Sequence, residues 1–121
     1  MSQNIFYWYP KCSTCQKAKK WLDTNGVEYQ AIDLKTTPPT AQNLYGWMEQ
    51  GNFPKKKFFN TSGMKYRELG LKDKVADLSD KEAAELLATD GMLIKRPLFI
   101  EGDKLVAIGF KEANYEEVFG A

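Results

Sequence analysis

An α/β fold with a mixed sheet is the class this sequence predicts, on three observations. The chain opens on a strand, a helix and a second strand, at residues 5–9, 16–23 and 27–32. Its middle, residues 40–90, reads as mostly helical. It closes on two strands joined by a tight turn and a last helix at residues 111–119. A strand–helix–strand crossover is right-handed and makes its strands parallel, whereas a hairpin makes them antiparallel. At 121 residues the chain is read as a single domain, residues 1–121, with residues 40–90 a helical insertion.

Each element has its own signal. Ile5-Phe6-Tyr7-Trp8-Tyr9 is a β-branched and aromatic run, and Pro10-Lys11 turns the chain. The first helix sets Ala18, Trp21 and Leu22 on one stripe, the spacing of a core-facing side. Asn25-Gly26 stops it, because glycine suits the left-handed position after a helix. Thr40 caps a second helix reaching about Gln50, with Leu44, Trp47 and Met48 inward and Gly51 at its end. Lys55-Lys56-Lys57 reads as a solvated edge beside a buried Phe58-Phe59 pair rather than as a phosphate site. Tyr66-Arg67-Glu68-Leu69-Gly70 reads as a short helix. Ser79-Asp80-Lys81-Glu82 is a capping box opening a helix that buries Ala83, Leu86 and Leu87. Proline cannot lie inside a central strand, so the next strand starts at or after Pro97. Glu101-Gly102-Asp103-Lys104 is a hairpin turn and residues 105–109 its partner. The last helix carries Ala113, Tyr115, Val118 and Phe119 as apolar positions.

The chemistry-bearing stretch is Tyr9-Pro10-Lys11-Cys12-Ser13-Thr14-Cys15, which holds both cysteines. A CxxC between a strand and the first turn of a helix reads as a thioredoxin-like redox motif. Residues three apart lie on one helix face, so the two sulfurs can meet. First-turn N–H groups lack intrahelical partners, and with the helix dipole they favour a thiolate. Lys11 and Lys17 add positive charge. Cys12 is therefore the expected nucleophile and Cys15 the residue that resolves a mixed disulfide. Lys11 and the N–H groups around Ser13 and Thr14 are the expected local anion donors. A structural disulfide fits less well, since so short a loop removes little unfolded-state entropy. Zinc would need ligands beyond two cysteines in a chain with no histidine. Two inert buried thiols would show the same spacing.

Bulk composition narrows the class. With 43% hydrophobic and 27% charged residues the chain is ordinary globular material. Lys+Arg 17 against Asp+Glu 16 leaves a net charge of +1, without the basic excess of a dedicated nucleic-acid binder. The first residues lack the features of a signal peptide, and no apolar run approaches the ~18 residues of a membrane span. The expectation is a cytoplasmic protein with no direct nucleic-acid or membrane partner, and in that compartment a cysteine pair is more often catalytic than structural.

Three motifs in order, Tyr9-Pro10-Lys11-Cys12-Ser13-Thr14-Cys15, Tyr66-Arg67-Glu68-Leu69-Gly70-Leu71 and Ile94-Lys95-Arg96-Pro97-Leu98, resemble the arsenate reductase (ArsC)/Spx family over nearly the whole chain. Within it the chain looks like a reductase-like branch that carries a CxxC. The resemblance implies a thioredoxin-like fold (βαβ, helical insertion, ββα) with Pro97 a cis proline beside the active cysteine. It puts Cys12 on the family's nucleophile and Arg96 on an arginine whose planar fork suits an oxyanion. Asn60 stands where glutathione-linked arsenate reductases of the family carry an arginine, and residues 105–110 lack a further one. Two activities follow from the resemblance. One is a thiol-dependent oxidoreductase, glutaredoxin-like, acting on a disulfide or small oxyanion, with no bound cofactor and with glutathione, glutaredoxin or thioredoxin as external reductant. The other is an Spx-like redox sensor that binds RNA polymerase. Gly51 falls near a glycine those regulators use for polymerase contact, but reads first as a plain helix end.

Overall fold

The computed structural model describes residues 3–120; expectations drawn from Met1, Ser2 and Ala121 lie outside the described residues. In chain order the elements are β1 (Asn4–Trp8), α1 (Ser13–Thr24), β2 (Gln30–Asp33), α2 (Ala41–Glu49), α3 (Met64–Glu68), α4 (Asp80–Ala88), β3 (Leu98–Glu101), β4 (Lys104–Ile108) and α5 (Glu112–Phe119). Short 3-10 turns at Lys55–Phe58, Leu71–Asp73, Val75–Asp77 and Gly91–Leu93 lie between α2 and β3. The chain forms two compact units. One runs to Asp33 and resumes at Arg96; the other is Leu34–Lys95.

The first unit is built on a four-stranded sheet of order β2-β1-β3-β4. β1 pairs parallel with β2 and antiparallel with β3, and β3 pairs antiparallel with β4. The sheet is therefore mixed, and the fold is the thioredoxin-like α/β class. Phe6 lies opposite Phe99 in the β1–β3 register, and both join Ala18, Leu22, Ala107 and Tyr115 in one buried cluster. Fully burying a side chain such as Phe6 or Leu22 is worth ~1.5–3 kcal/mol each, which fixes α1 and α5 against the sheet. Ala18 and Leu22 are four apart, one stripe of α1, as the spacing predicts.

α1 ends as expected, and its ending corrects the next element. Gly26 takes φ +70, its N–H donates to the Asp23 carbonyl, and the Val27 N–H donates to the Leu22 carbonyl at 3.0 Å. That pair of bonds is a Schellman motif. It commits Val27 to the helix end, so β2 starts at Gln30 rather than residue 27. Val27 and Tyr29 pack against the core cluster instead. α5 also departs from expectation. Tyr115 is buried and Phe119 half-buried, but Ala113 and Val118 are exposed. A single helical stripe cannot hold both Ala113 and Tyr115, which lie 200° apart at 100° per residue.

The second unit is helical. Thr40 caps α2 by accepting the Asn43 N–H at 3.1 Å, and Leu44, Trp47 and Met48 are buried. Gly51 follows the helix at φ +76, the left-handed geometry of a helix end. The capping box of α4 is complete: Ser79 Oγ accepts the Glu82 N–H at 3.1 Å and Glu82 Oε1 accepts the Ser79 N–H at 2.9 Å. α4 buries Ala83, Ala84 and Leu87, while Leu86, expected inside, is half-buried. Phe58 and Phe59 are buried as expected. Lys55 departs from the solvated-edge reading, because it is half-buried and its Nζ donates to the Leu78 carbonyl. At Gly91 a side chain cannot fit, since a Cβ would lie 1.9 Å from the Leu34 carbonyl oxygen.

Candidate active site

The site lies in the first unit, where β1 hands the chain to α1. The Cys12 N–H donates to the Tyr9 carbonyl at 2.9 Å, closing a turn through Pro10 and Lys11. The Gln16 side chain braces this turn by donating to the Pro10 carbonyl at 2.7 Å. Cys12 is thereby set as the N-cap of α1, with extended backbone at φ −87, ψ 120. Its carbonyl accepts the Gln16 N–H at 3.0 Å. Its sulfur accepts the Cys15 N–H at 3.4 Å, the place a serine or aspartate oxygen takes at an ordinary cap. The first turn of α1 holds no acidic residue, so the positive end of the helix faces the sulfur uncompensated.

Two thiols three residues apart are tuned in opposite directions. Burial by itself would raise the Cys12 thiol. The Cys15 backbone N–H, the Cys15 side chain and the Arg96 guanidinium, through both a hydrogen bond and its charge, outweigh burial and hold it below the usual thiol value. Cys15 is fully buried, and burial is the first cause that pushes its thiol up. The hydrogen bond and charge of Cys12 push the same way, against the opposing pull of the Tyr9 N–H and Arg96. Both cysteines are free thiols, Cys12 half-buried and Cys15 buried.

Arg96 enters from the start of β3. The Arg96–Pro97 peptide is cis, Pro97 is buried, and Arg96 is half-buried. The Pro97 carbonyl accepts the Gly109 N–H at 2.7 Å, and the Gly109 carbonyl accepts the Tyr115 hydroxyl at 3.0 Å. α5 and the end of β4 thus anchor the proline. The Arg96 guanidinium carbon sits 5.3 Å from the centre of the Tyr9 ring, a cation–π distance.

The structure brings Cys12, Cys15, Arg96 and Pro97 into one site. Lys11 is exposed in the adjoining turn, and Ser13 and Thr14 are the exposed first residues of α1. Asn60 belongs to the helical unit. There its N–H donates to the Leu93 carbonyl at 2.7 Å, and its amide reaches the Met92 carbonyl at 3.5 Å and the Ser62 hydroxyl at 3.3 Å. The ring of Tyr9 was not among the sequence-derived site residues. The contact that reveals it spans residues 9 and 96, a pairing local pattern cannot supply. Among the described residues no three His, Cys, Asp or Glu side chains cluster as a metal site requires. No helix among them is long and apolar enough to cross a membrane.

A thiol N-cap on a thioredoxin-like sheet, with an Arg–cis-Pro step beside it, defines a thiol-site protein. Residues 7–118 match the ArsC family, and the chain belongs to that family. It is 56% identical over 112 residues to the uncharacterized protein YusI of Bacillus subtilis (strain 168), covering 93% of this chain and 94% of that one. It is 26% identical to the global transcriptional regulator Spx of Lactiplantibacillus plantarum, covering 89% of this chain and 80% of the regulator. Among solved structures, a possible arsenate reductase from Streptococcus mutans UA159 superposes with a TM-score of 0.92 at 53% identity, covering 98% of each chain.

Proposed function

We propose that this chain is a cytoplasmic thiol–disulfide oxidoreductase with Cys12 as nucleophile and Cys15 as resolving thiol. The observation that supports it most is the placing of the pair: Cys12 at the N-cap of α1, its sulfur accepting the Cys15 N–H, and Cys15 fully buried three residues on, an arrangement that lowers the first thiol's pKa and raises the second's. The Cys12 thiolate attacks a disulfide RS–SR′. A Cys12–SR bond forms, the RS–SR′ bond breaks, and R′S⁻ leaves and takes up a proton. Cys12 no longer carries charge in this adduct, so its contribution to raising the Cys15 pKa is gone. Cys15 then loses its proton and attacks the Cys12 sulfur, expelling RS⁻ and forming the Cys12–Cys15 disulfide. Two electrons pass from the pair to the substrate. Two molecules of glutathione, or a thioredoxin or glutaredoxin dithiol, return them. Arg96 steadies the thiolate and is the group best suited to an anionic substrate, with Lys11 and the N–H groups at Ser13 and Thr14 as further donors and Pro97 shaping the wall.

The test is turnover of a low-molecular-weight disulfide, followed as NADPH consumption through glutathione reductase or thioredoxin reductase, with the intact mass of the oxidised protein read in parallel. Turnover and a reversible loss of two hydrogens without dimer formation support the enzyme. The similarity to Spx favours a second reading, in which the same pair sets affinity for RNA polymerase according to its oxidation state. Redox-dependent capture of RNA polymerase by a protein that forms the disulfide without turnover would select the regulator.

A further inference from the structure

We propose that Tyr9 is a positioning residue whose ring holds the Arg96 guanidinium against the Cys12 sulfur. The inference rests on the reading of Cys12 as the nucleophile and adds a residue that acts through Arg96 rather than on the sulfur. Tyr9 contacts both Cys12 and Arg96, by two different means. Its backbone is committed to the turn: the carbonyl accepts the Cys12 N–H at 2.9 Å. Its ring faces Arg96 at 5.3 Å. Its hydroxyl makes no hydrogen bond among the described residues, so the ring face is the part of the side chain that meets Arg96.

The geometry gives the ring a task that an aliphatic side chain cannot do. A guanidinium is a planar cation on a long flexible stem, and ordering it costs rotamer entropy. An aromatic face attracts that cation and restricts its tilt, leaving the in-plane N–H donors available to the sulfur. Arg96 is held at its other end by the neighbouring Pro97, whose carbonyl is tied to Gly109. The ring and the proline thus fix the two ends of one side chain. Substituting the Tyr9 side chain leaves the Tyr9 carbonyl bond to Cys12 in place, which separates the ring's effect from that of the turn.

The experiment follows the rate of Cys12 alkylation by iodoacetamide against pH in the fully reduced protein, by peptide mass spectrometry. The variants are Tyr9→Phe, Tyr9→Leu, Arg96→Ala and the Tyr9→Leu/Arg96→Ala double variant. Tyr9→Phe keeps the wild-type midpoint. Tyr9→Leu raises it by about half a pH unit, which slows alkylation about threefold below the midpoint, since one pKa unit is tenfold in thiolate. In the Arg96→Ala background Tyr9→Leu has no further effect, because its target is gone. The proposal is overturned if Tyr9→Leu leaves the midpoint unmoved, or moves it equally with and without Arg96. Should Tyr9→Leu not fold, Tyr9→Met carries the same comparison with a flexible side chain and no ring. A wild-type midpoint at the ordinary thiol value would instead sink the reading of Cys12 itself.

Discussion

Two helix N-termini in this protein meet the same need with different chemistry. α4 begins with Ser79 and Glu82 exchanging hydrogen bonds with each other's backbone N–H groups, with Asp80 and Glu82 both in its first turn. α1 begins with a sulfur, and its first turn holds no carboxylate. At α4 the orphan N–H groups and the dipole are matched by oxygens and negative charge that stay in place at neutral pH. At α1 the same positive potential is left for a group that can gain or lose its charge. One terminus is closed by fixed oxygens and the other by a sulfur, and the difference lies in which atom accepts the first-turn N–H.

The largest expected effect comes from making the two caps chemically alike. Cys12→Ser keeps a good N-cap oxygen and so keeps the fold, but disulfide reduction falls to background because the nucleophile is gone. Near-UV circular dichroism and the coupled NADPH assay, run on one preparation, check both halves.

A second expected effect concerns the charge at the sulfur-capped terminus. Arsenate is a strongly hydrated oxyanion, and an incompletely paired buried charge is costly. Arg96 is the one arginine in the first unit. Arsenate turnover should therefore fall well below disulfide turnover in the same coupled assay. Arg96→Ala should lower any arsenate activity more than the disulfide activity. Efficient arsenate reduction dependent on Cys12 and Arg96 would reverse this ranking.

Smaller effects belong to stability. Ser79→Ala should cost about 1 kcal/mol by urea unfolding and leave the reactivity of Cys12 unchanged. At the other terminus the folded Cys12 pKa lies below the unfolded one. Its stabilising contribution is complete above the unfolded thiol value of about 8.5 and is lost as pH falls through the lowered folded value. Cys15 runs the other way, its contribution present below about 8.5 and lost as pH rises toward its raised value. Between the lowered Cys12 value and about 8.5, the wild type should gain melting temperature relative to Cys12→Ser as pH rises. A flat difference across that window would mean that an ionised sulfur does not cap α1.

Both termini were legible in the sequence because caps are local. Ser79-Asp80-Lys81-Glu82 and Cys12-Ser13-Thr14-Cys15 carry their geometry within one turn, as do Asn25-Gly26 and the hairpin at Gly102. What the sequence left out depends on partners far along the chain or on competition between signals. The Val27 N–H is taken by the Leu22 carbonyl, so a run of good strand formers starts pairing three residues late. Lys55 looks like one of three equivalent lysines until Leu78 claims its ammonium. Ala84 replaces Leu86 as a fully buried position of α4, because helix periodicity gives a stripe but not its edges. The ring of Tyr9 gains its place in the site from Arg96, and a spacing of that length has no pattern to read.

The most direct measurement of the difference between the two thiols is competitive labelling. The reduced protein is treated near neutral pH with limiting iodoacetamide, and the peptides carrying Cys12 and Cys15 are quantified by mass spectrometry at several times. A lowered pKa with partial exposure at Cys12, and a raised pKa with full burial at Cys15, predict that Cys12 is alkylated first and that Cys15 lags until the protein is unfolded. Labelling of Cys15 first, or of both at equal rates in the folded protein, would contradict the assignment of nucleophile and resolving thiol.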